Sequence, residues 1–301
     1  MGTAHQWDSE SGERMRPKRP ELRPVTDNGQ TDLPRSTEWR PTPRRRATDL
    51  SALTVSLVIP TKNEARNLAT VLDHVPDTVS EVILVDGLSS DVTEKMAVVC
   101  EPDVRIIRVP SPGKGNALRA GFAAARGDII VAMDADGSMS PTEIPNLLYF
   151  LEHGFDFVKG SRFMVGGGSL DITPIRRAGN RALVGLANRF YRTHLTDLCY
   201  GLFAFRREFL DDLDLRSTGF EIETEITARA VLIGLRVTEV PSMELPRRSG
   251  NSNLRTFRDG ARVLQTLFHE RARAKLELGG KTKAGRGGGG TPEGEVQGAD
   301  S

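Results

Sequence analysis

Residues 112–144 read PGKGNALRAGFAAARGDIIVAMDADGSMSPTEI. The apolar run Ile129 to Met133 shows no polar alternation, the pattern of a short strand covered on both faces. After Lys114, the residues Leu118, Gly121, Phe122 and Ala125 recur at helical spacing, and beyond the strand Ile144, Leu147, Leu148 and Leu151 mark one face of a further helix. Helix, doubly covered strand and helix in succession form the repeat of an open parallel sheet. Ligands of such sheets bind beyond the carboxyl ends of the strands. Asp134-Ala135-Asp136, directly after Met133, therefore stands where a ligand is expected.

The alternation extends outward from this stretch. Leu53 to Ile59 reads as a strand, and a helix after Asn63 carries Leu68, Val71, Leu72 and Val75 on one face before Pro76 stops it. Glu81 to Val85 is a second strand, Val92, Met96 and Val99 mark the inner face of a second helix, and Arg105 to Val109 is a third strand. Downstream, Phe155 to Lys159 is strand-like, Gly166-Gly167-Gly168 breaks the chain, and Arg176 to Phe190 reads as a helix. Gly201 to Phe205, Glu221 to Ile233 and Arg236 to Val240 then read as strand, helix and strand. The expectation is one α/β domain over residues 53–270: a single open, mostly parallel sheet with helices on both faces. Residues 1–50 are rich in Pro, Arg, Asp, Glu and Ser with few aliphatics, and residues 279–301 are Gly-rich. Neither composition offsets the entropy of ordering, so a disordered arm and a disordered tail are expected.

Composition narrows the class. A net charge of +1 with 27% charged residues lacks the basic excess of a nucleic-acid binder. Two cysteines, Cys100 and Cys199, form no CxxC pair and no disulfide framework, which fits a reducing compartment. The first residues hold no apolar core of the size a secretory signal needs, and no apolar run is long enough to cross a bilayer. The expectation is a cytoplasmic protein without signal peptide or transmembrane helix. A basic amphipathic stretch (Phe257, Ala261, Val263, Leu264, Leu267 and Phe268 among arginines) would either pack on the domain or rest peripherally on the inner face of a membrane.

Polar residues gather after the strands, as the architecture requires. In Asp134-Ala135-Asp136 two carboxylates on an extended segment address one side, and Mg²⁺ or Mn²⁺ takes such hard oxygens while leaving positions for phosphate and water. After the first strand come Pro60, Thr61 and Glu64. Glu64 near a helix start either contacts a ligand or answers the helix dipole. After the second comes Asp86, suited to base or ribose hydrogen bonds or to capping a turn. Ser111 to Asn116 offers backbone amides and the Lys114 cation to a phosphate, without P-loop spacing.

Taken together these motifs resemble glycosyltransferase family 2, an inverting family of the GT-A fold. The matching stretches are LVIPTKNEARNL, EVILVDGLSSDVT, residues 112–144, DFVKGSRF and DLCYGLFAFRREFL, in that order between Leu53 and Leu254. The likeness is strongest to the branch of dolichol-phosphate mannosyltransferases and polyprenyl-phosphate sugar synthases. It implies that Pro60, Thr61, Glu64 and Asp86 hold the nucleoside of a UDP- or GDP-sugar, that Lys114 approaches the nucleotide, and that Asp134 and Asp136 hold metal and diphosphate. It further implies that Arg162, Arg176 and Arg247, with Ser252, face an acceptor phosphate, a role suited to the forked guanidinium. Gly87 stands where the family often has a second acid, Lys62 replaces a commonly aromatic or small residue, and the membrane helices often appended in bacteria are absent.

Two acceptor chemistries stay open at this level. A polyprenyl phosphate brings an oxygen that is already anionic and needs no base. A hydroxyl on a small metabolite or glycan needs one, and Glu223 or Glu225 is the natural candidate. Nucleotidyl transfer is the reading from a neighbouring class, but it normally brings a Gly-rich loop after the first strand, and Pro60 to Glu64 contains no glycine. A catalytically silent nucleotide-sugar binder is the last, against which the intact Asp134 and Asp136 speak. Oligomeric state has no signature in the sequence.

Overall fold

The computed structural model describes residues 53–249 and 257–277, and the backbone alone of residue 256 and residues 278–284. The expected arm over residues 1–50, most of the expected tail, and Ser252 lie outside the described residues. In chain order the elements are β1 (Val55–Thr61), α1 (Ala65–Leu72), β2 (Glu81–Asp86), α2 (Thr93–Cys100), β3 (Arg105–Arg108), α3 (Lys114–Ala124), β4 (Ile129–Ala132), α4 (Ile144–Glu152) and β5 (Phe157–Ser161). They continue with β6 (Gly168–Ser169), α5 (Pro174–Tyr191), β7 (Phe203–Arg206), α6 (Leu210–Leu213), α7 (Ile222–Leu232), β8 (Val237–Pro241), β9 (Met243–Glu244) and α8 (Thr256–Ala284).

Seven strands form one sheet in the order β3-β2-β1-β4-β7-β5-β8, while β6 and β9 pair separately. All neighbours in the large sheet run parallel except β7, which is antiparallel to both β4 and β5. The expected α/β sheet with helices on both faces is thus present. The register follows from alternation along each strand. Leu57 and Ile59 of β1 pack on one face with Leu68, Val71 and Leu72 of α1 and Leu147 and Leu151 of α4. Val58 packs on the other face with Leu118 and Phe122 of α3 and Ile222 and Ile226 of α7. A third cluster joins Val184 and Ala187 of α5 to Val263 and Leu267 of α8.

Three expectations change in detail. The inner face of α2 is Thr93 and Ala97, whereas Val92 and Val99 are 51% and 75% exposed. The reason is polar: the buried Thr93 hydroxyl accepts from the Glu64 N–H at 3.0 Å and donates to Asp91, and this turns the helix so that Thr93 and Ala97, one turn apart, face inward. The amphipathic stretch splits, with Val263 and Leu267 buried and Phe257 84% exposed. Its helix also runs to Ala284, past Gly279, since an established helix extends at the cost of only one residue's ordering per added hydrogen bond.

Candidate functional site

Strand register brings the polar segments to one edge. Thr61 pairs with Asp86, and Val58 with Ala132, so Pro60, Thr61 and Asp134 emerge at the carboxyl ends of β1 and β4. Because β7 runs antiparallel, with Phe203 opposite Ala132, it is its amino end that reaches the same edge and sets Gly201 beside Asp134. A cavity of about 480 Å³ opens there. Pro60, Thr61, Glu64, Lys114, Asp134, Asp136, Arg162, Arg176, Glu223 and Arg247 all contribute to its walls, residues spread over most of the folded chain.

Lys114 is the hub of the inner half. Gly113 before it has φ +118°, and a Cβ there would lie 2.1 Å from the Thr218 carbonyl oxygen, so only glycine permits this backbone contact. The Gly115 and Asn116 N–H groups donate to that same carbonyl at 3.0 and 3.3 Å. These two amides, expected at a phosphate, are therefore engaged by the protein, and the loop instead aims the Lys114 side chain. Its ammonium donates to Glu223 at 2.5 Å and pairs with Asp134. Burial disfavours the Lys114 charge, but Asp134 and Glu223 more than offset this and hold its pKa above the ordinary lysine range. Asp134 is pushed up to about 6, by burial first and then by the Glu223 and Asp136 charges, with Lys114 opposing.

Asp136 completes the carboxylate pair. Its Oδ1 accepts from the Ser138 N–H at 3.0 Å and hydroxyl at 2.6 Å, and its Oδ2 from Arg247 at 2.9 Å. The same guanidinium donates to Glu64 at 2.9 Å, whose other oxygen accepts from Asn67 at 2.5 Å. Four carboxylates (Glu64, Asp134, Asp136 and Glu223) thus meet two cations, leaving two negative charges uncompensated. Among the described residues no three His, Cys, Asp or Glu side chains form a ready cation cage. Two hard carboxylates beside an excess of negative charge still fit a divalent ion that draws its remaining ligands from phosphate and water.

Other expected residues stand differently. Asp86 is buried and does not line the cavity: its carboxylate accepts from the Ser89 N–H at 2.8 Å and from the Ser89 hydroxyl, the turn-capping alternative, and Gly87 faces the cavity instead. Glu225 also lies away from it, accepting from the Arg216 and Ser217 N–H groups at 2.9 and 2.8 Å. Arg162 lines the cavity, but its fork already grips Asp197 at 2.7 and 3.0 Å, Glu244 at 3.0 Å and the Cys199 carbonyl at 2.7 Å. It braces the wall more than it offers a free fork. Arg176 is less committed, with one ion pair at 3.9 Å to Asp171.

The sequence reading missed Asn180, one turn beyond Arg176 on α5. Its Oδ1 accepts from the Leu198 N–H at 3.4 Å, leaving the amide nitrogen as the end free to face the cavity. The i, i+4 spacing was the available signal. Ile172, Ile175, Leu183 and Val263 make this end of the cavity apolar. Cys199, also in the wall, is pushed up to about 12, by burial first and by the Glu223 and Asp197 charges next. It remains a thiol at neutral pH. Among the described residues no helix is long and apolar enough to cross a membrane.

The family model described as Glycosyl transferase family 2 matches residues 56–214. An undecaprenyl-phosphate mannosyltransferase of Micrococcus luteus is 34% identical over 219 residues, covering 66% of this chain and 87% of that protein. A polyprenol monophosphomannose synthase of Mycolicibacterium smegmatis is 33% identical over 226 residues, covering 70% and 83%. Among solved structures, glucosyl-3-phosphoglycerate synthase from Mycobacterium tuberculosis, in complex with Mn²⁺, UDP-glucose and phosphoglyceric acid, superposes with a TM-score of 0.60 at 23% identity. The match covers 74% of this chain and 81% of that one, and at this identity it speaks for the shared fold.

Proposed function

The chain belongs to glycosyl transferase family 2, and from that premise we propose that it moves a hexose from a UDP- or GDP-sugar to a polyprenyl phosphate, with Mg²⁺ or Mn²⁺ held by Asp134 and Asp136. The cation, when bound, neutralises the departing nucleoside diphosphate. Pro60, Thr61 and Gly87 provide the nucleoside wall, and Arg176 with Asn180 the donors for an acceptor phosphate. Ile172, Ile175 and Leu183 suit the first carbons of its chain. The acceptor oxygen attacks the sugar C1, the bond from C1 to the diphosphate oxygen breaks, and the electron pair leaves with the nucleotide; no proton changes hands.

One observation carries the choice of acceptor. Glu223, the expected base nearest the reacting edge, is held by Lys114 at 2.5 Å, and Glu225 is turned away. A carboxylate whose oxygen is already taken up by a neighbouring ammonium is poorly placed to receive a proton from a hydroxyl acceptor. A nucleophile that arrives anionic removes the need for one. This favours a phosphate over a hydroxyl acceptor. The test is a panel of UDP- and GDP-sugars with Mg²⁺ or Mn²⁺, with and without polyprenyl phosphate, following nucleoside diphosphate release. Release that depends on the lipid phosphate supports the proposal; release of pyrophosphate from a nucleoside triphosphate plus sugar phosphate points instead to nucleotidyl transfer.

A further inference from the structure

Between Leu245 and Ser249 the chain crosses from β9 to the donor side of the cavity. Its backbone is tied at both ends, by the Leu245 N–H to the Ser138 carbonyl at 2.8 Å and by Asn67 Nδ2 to the Ser249 carbonyl at 3.1 Å. The Arg247 side chain hangs from this strap and bridges Glu64 and Asp136, 2.9 Å from each. We propose that Arg247 is the resident counter-ion of Asp136 and that it competes with a divalent cation for this carboxylate. This rests on the reading of Asp134 and Asp136 as the cation's carboxylates.

Of the groups on Asp136, the Ser138 N–H and hydroxyl are neutral and compatible with a bound cation. Arg247 alone carries a charge of the same sign as the newcomer, within one atom's reach of it. Because the strap is anchored through its flanking residues, the long side chain can leave Asp136 by rotation without moving the backbone. Its second nitrogen stays near Glu64, so it swings within the cavity. Charge balance gives the exchange a driving force. One divalent ion would cancel the uncompensated double negative charge of the four carboxylates.

The test is Mn²⁺ binding to the full chain without nucleotide, followed by the electron paramagnetic resonance signal of free Mn²⁺. Arg247→Gln should bind Mn²⁺ at least about tenfold more tightly than the wild type, because a like charge is removed. Arg248→Gln, on the same strap but bonded to Thr70 at 3.3 Å, should bind as the wild type does. Should Arg247→Gln fail to fold, Arg247→Lys, which keeps the charge but cannot bridge both acids, should still bind Mn²⁺ more tightly than the wild type. Unchanged or weaker binding in the folded Arg247 variant, equal tightening in both strap variants, or no Mn²⁺ bound by any form overturns the proposal. A chain showing the shift without transferring sugar to polyprenyl phosphate would keep this role and lose the acceptor; transfer without the shift would do the reverse.

Discussion

Gly201 shows how little room the reacting edge has. A Cβ at this position would lie 2.8 Å from Lys114 Nζ, 3.0 Å from Asp134 Oδ2 and 3.1 Å from Glu223 Oε1. All three are ends of side chains that can yield, so Gly201→Ala should shift the melting temperature by only a few degrees. The clamp would open, and we expect sugar transfer to fall at least about tenfold, since small displacements of positioned groups are costly to rate. A large loss of melting temperature with activity retained would contradict this. Cys199 gives a converse prediction: with its thiol held up to about 12, iodoacetamide at pH 8 should leave it unmodified by intact mass, because the thiolate is the reactive form. At this scale the sequence disclosed residue types better than pairings. Asp134 and Asp136 were legible from their place after a covered strand, whereas the grip of Lys114 on Glu223, 109 residues apart, depends on where α3 and α7 come to lie. Asp86 was recognisable as a strand-end acid suited to a ligand or to a turn cap, and the hydrogen bonds of Ser89, three residues on, give it the cap.

At the scale of elements, packing against the sheet carries the site. Phe122 of α3 is almost fully buried and meets Phe203 and Phe205 of β7 edge-on, with ring centres 6.3 and 5.4 Å apart. Phe122→Ala should cost about 3–5 kcal/mol, seen as a fall of roughly 10 °C in melting temperature; a change within one or two degrees would mean that α3 is not anchored there. Since Lys114 opens the same helix, the variant should also lose activity. The alternation of strands and helices was readable because each strand is a short, unbroken apolar run and each helix keeps a 3.6-residue period. Two features were not. Gly201 to Phe205 carries no mark of direction, so the antiparallel β7 had to come from topology. The face of α2 is chosen by the hydrogen bonds of Thr93, which hydrophobic period does not weigh.

For the whole molecule, the site is a meeting of distant segments at one sheet edge, with an acidic inner half and an apolar outer half beside Arg176. If Asp134 and Asp136 hold the metal, Asp136→Asn should reduce sugar transfer at least about a hundredfold while leaving the melting temperature within a few degrees; undiminished transfer would remove that role. The central claim is narrower: that the acceptor supplies its own anionic oxygen, because Glu223, the expected base at the reacting edge, is engaged by Lys114 and Glu225 faces away. The most direct measurement is transfer of radiolabelled sugar into the lipid phase with polyprenyl phosphate against polyprenol of the same chain length. The account predicts product with the phosphate and none above background with the alcohol; equal incorporation into the alcohol would contradict it.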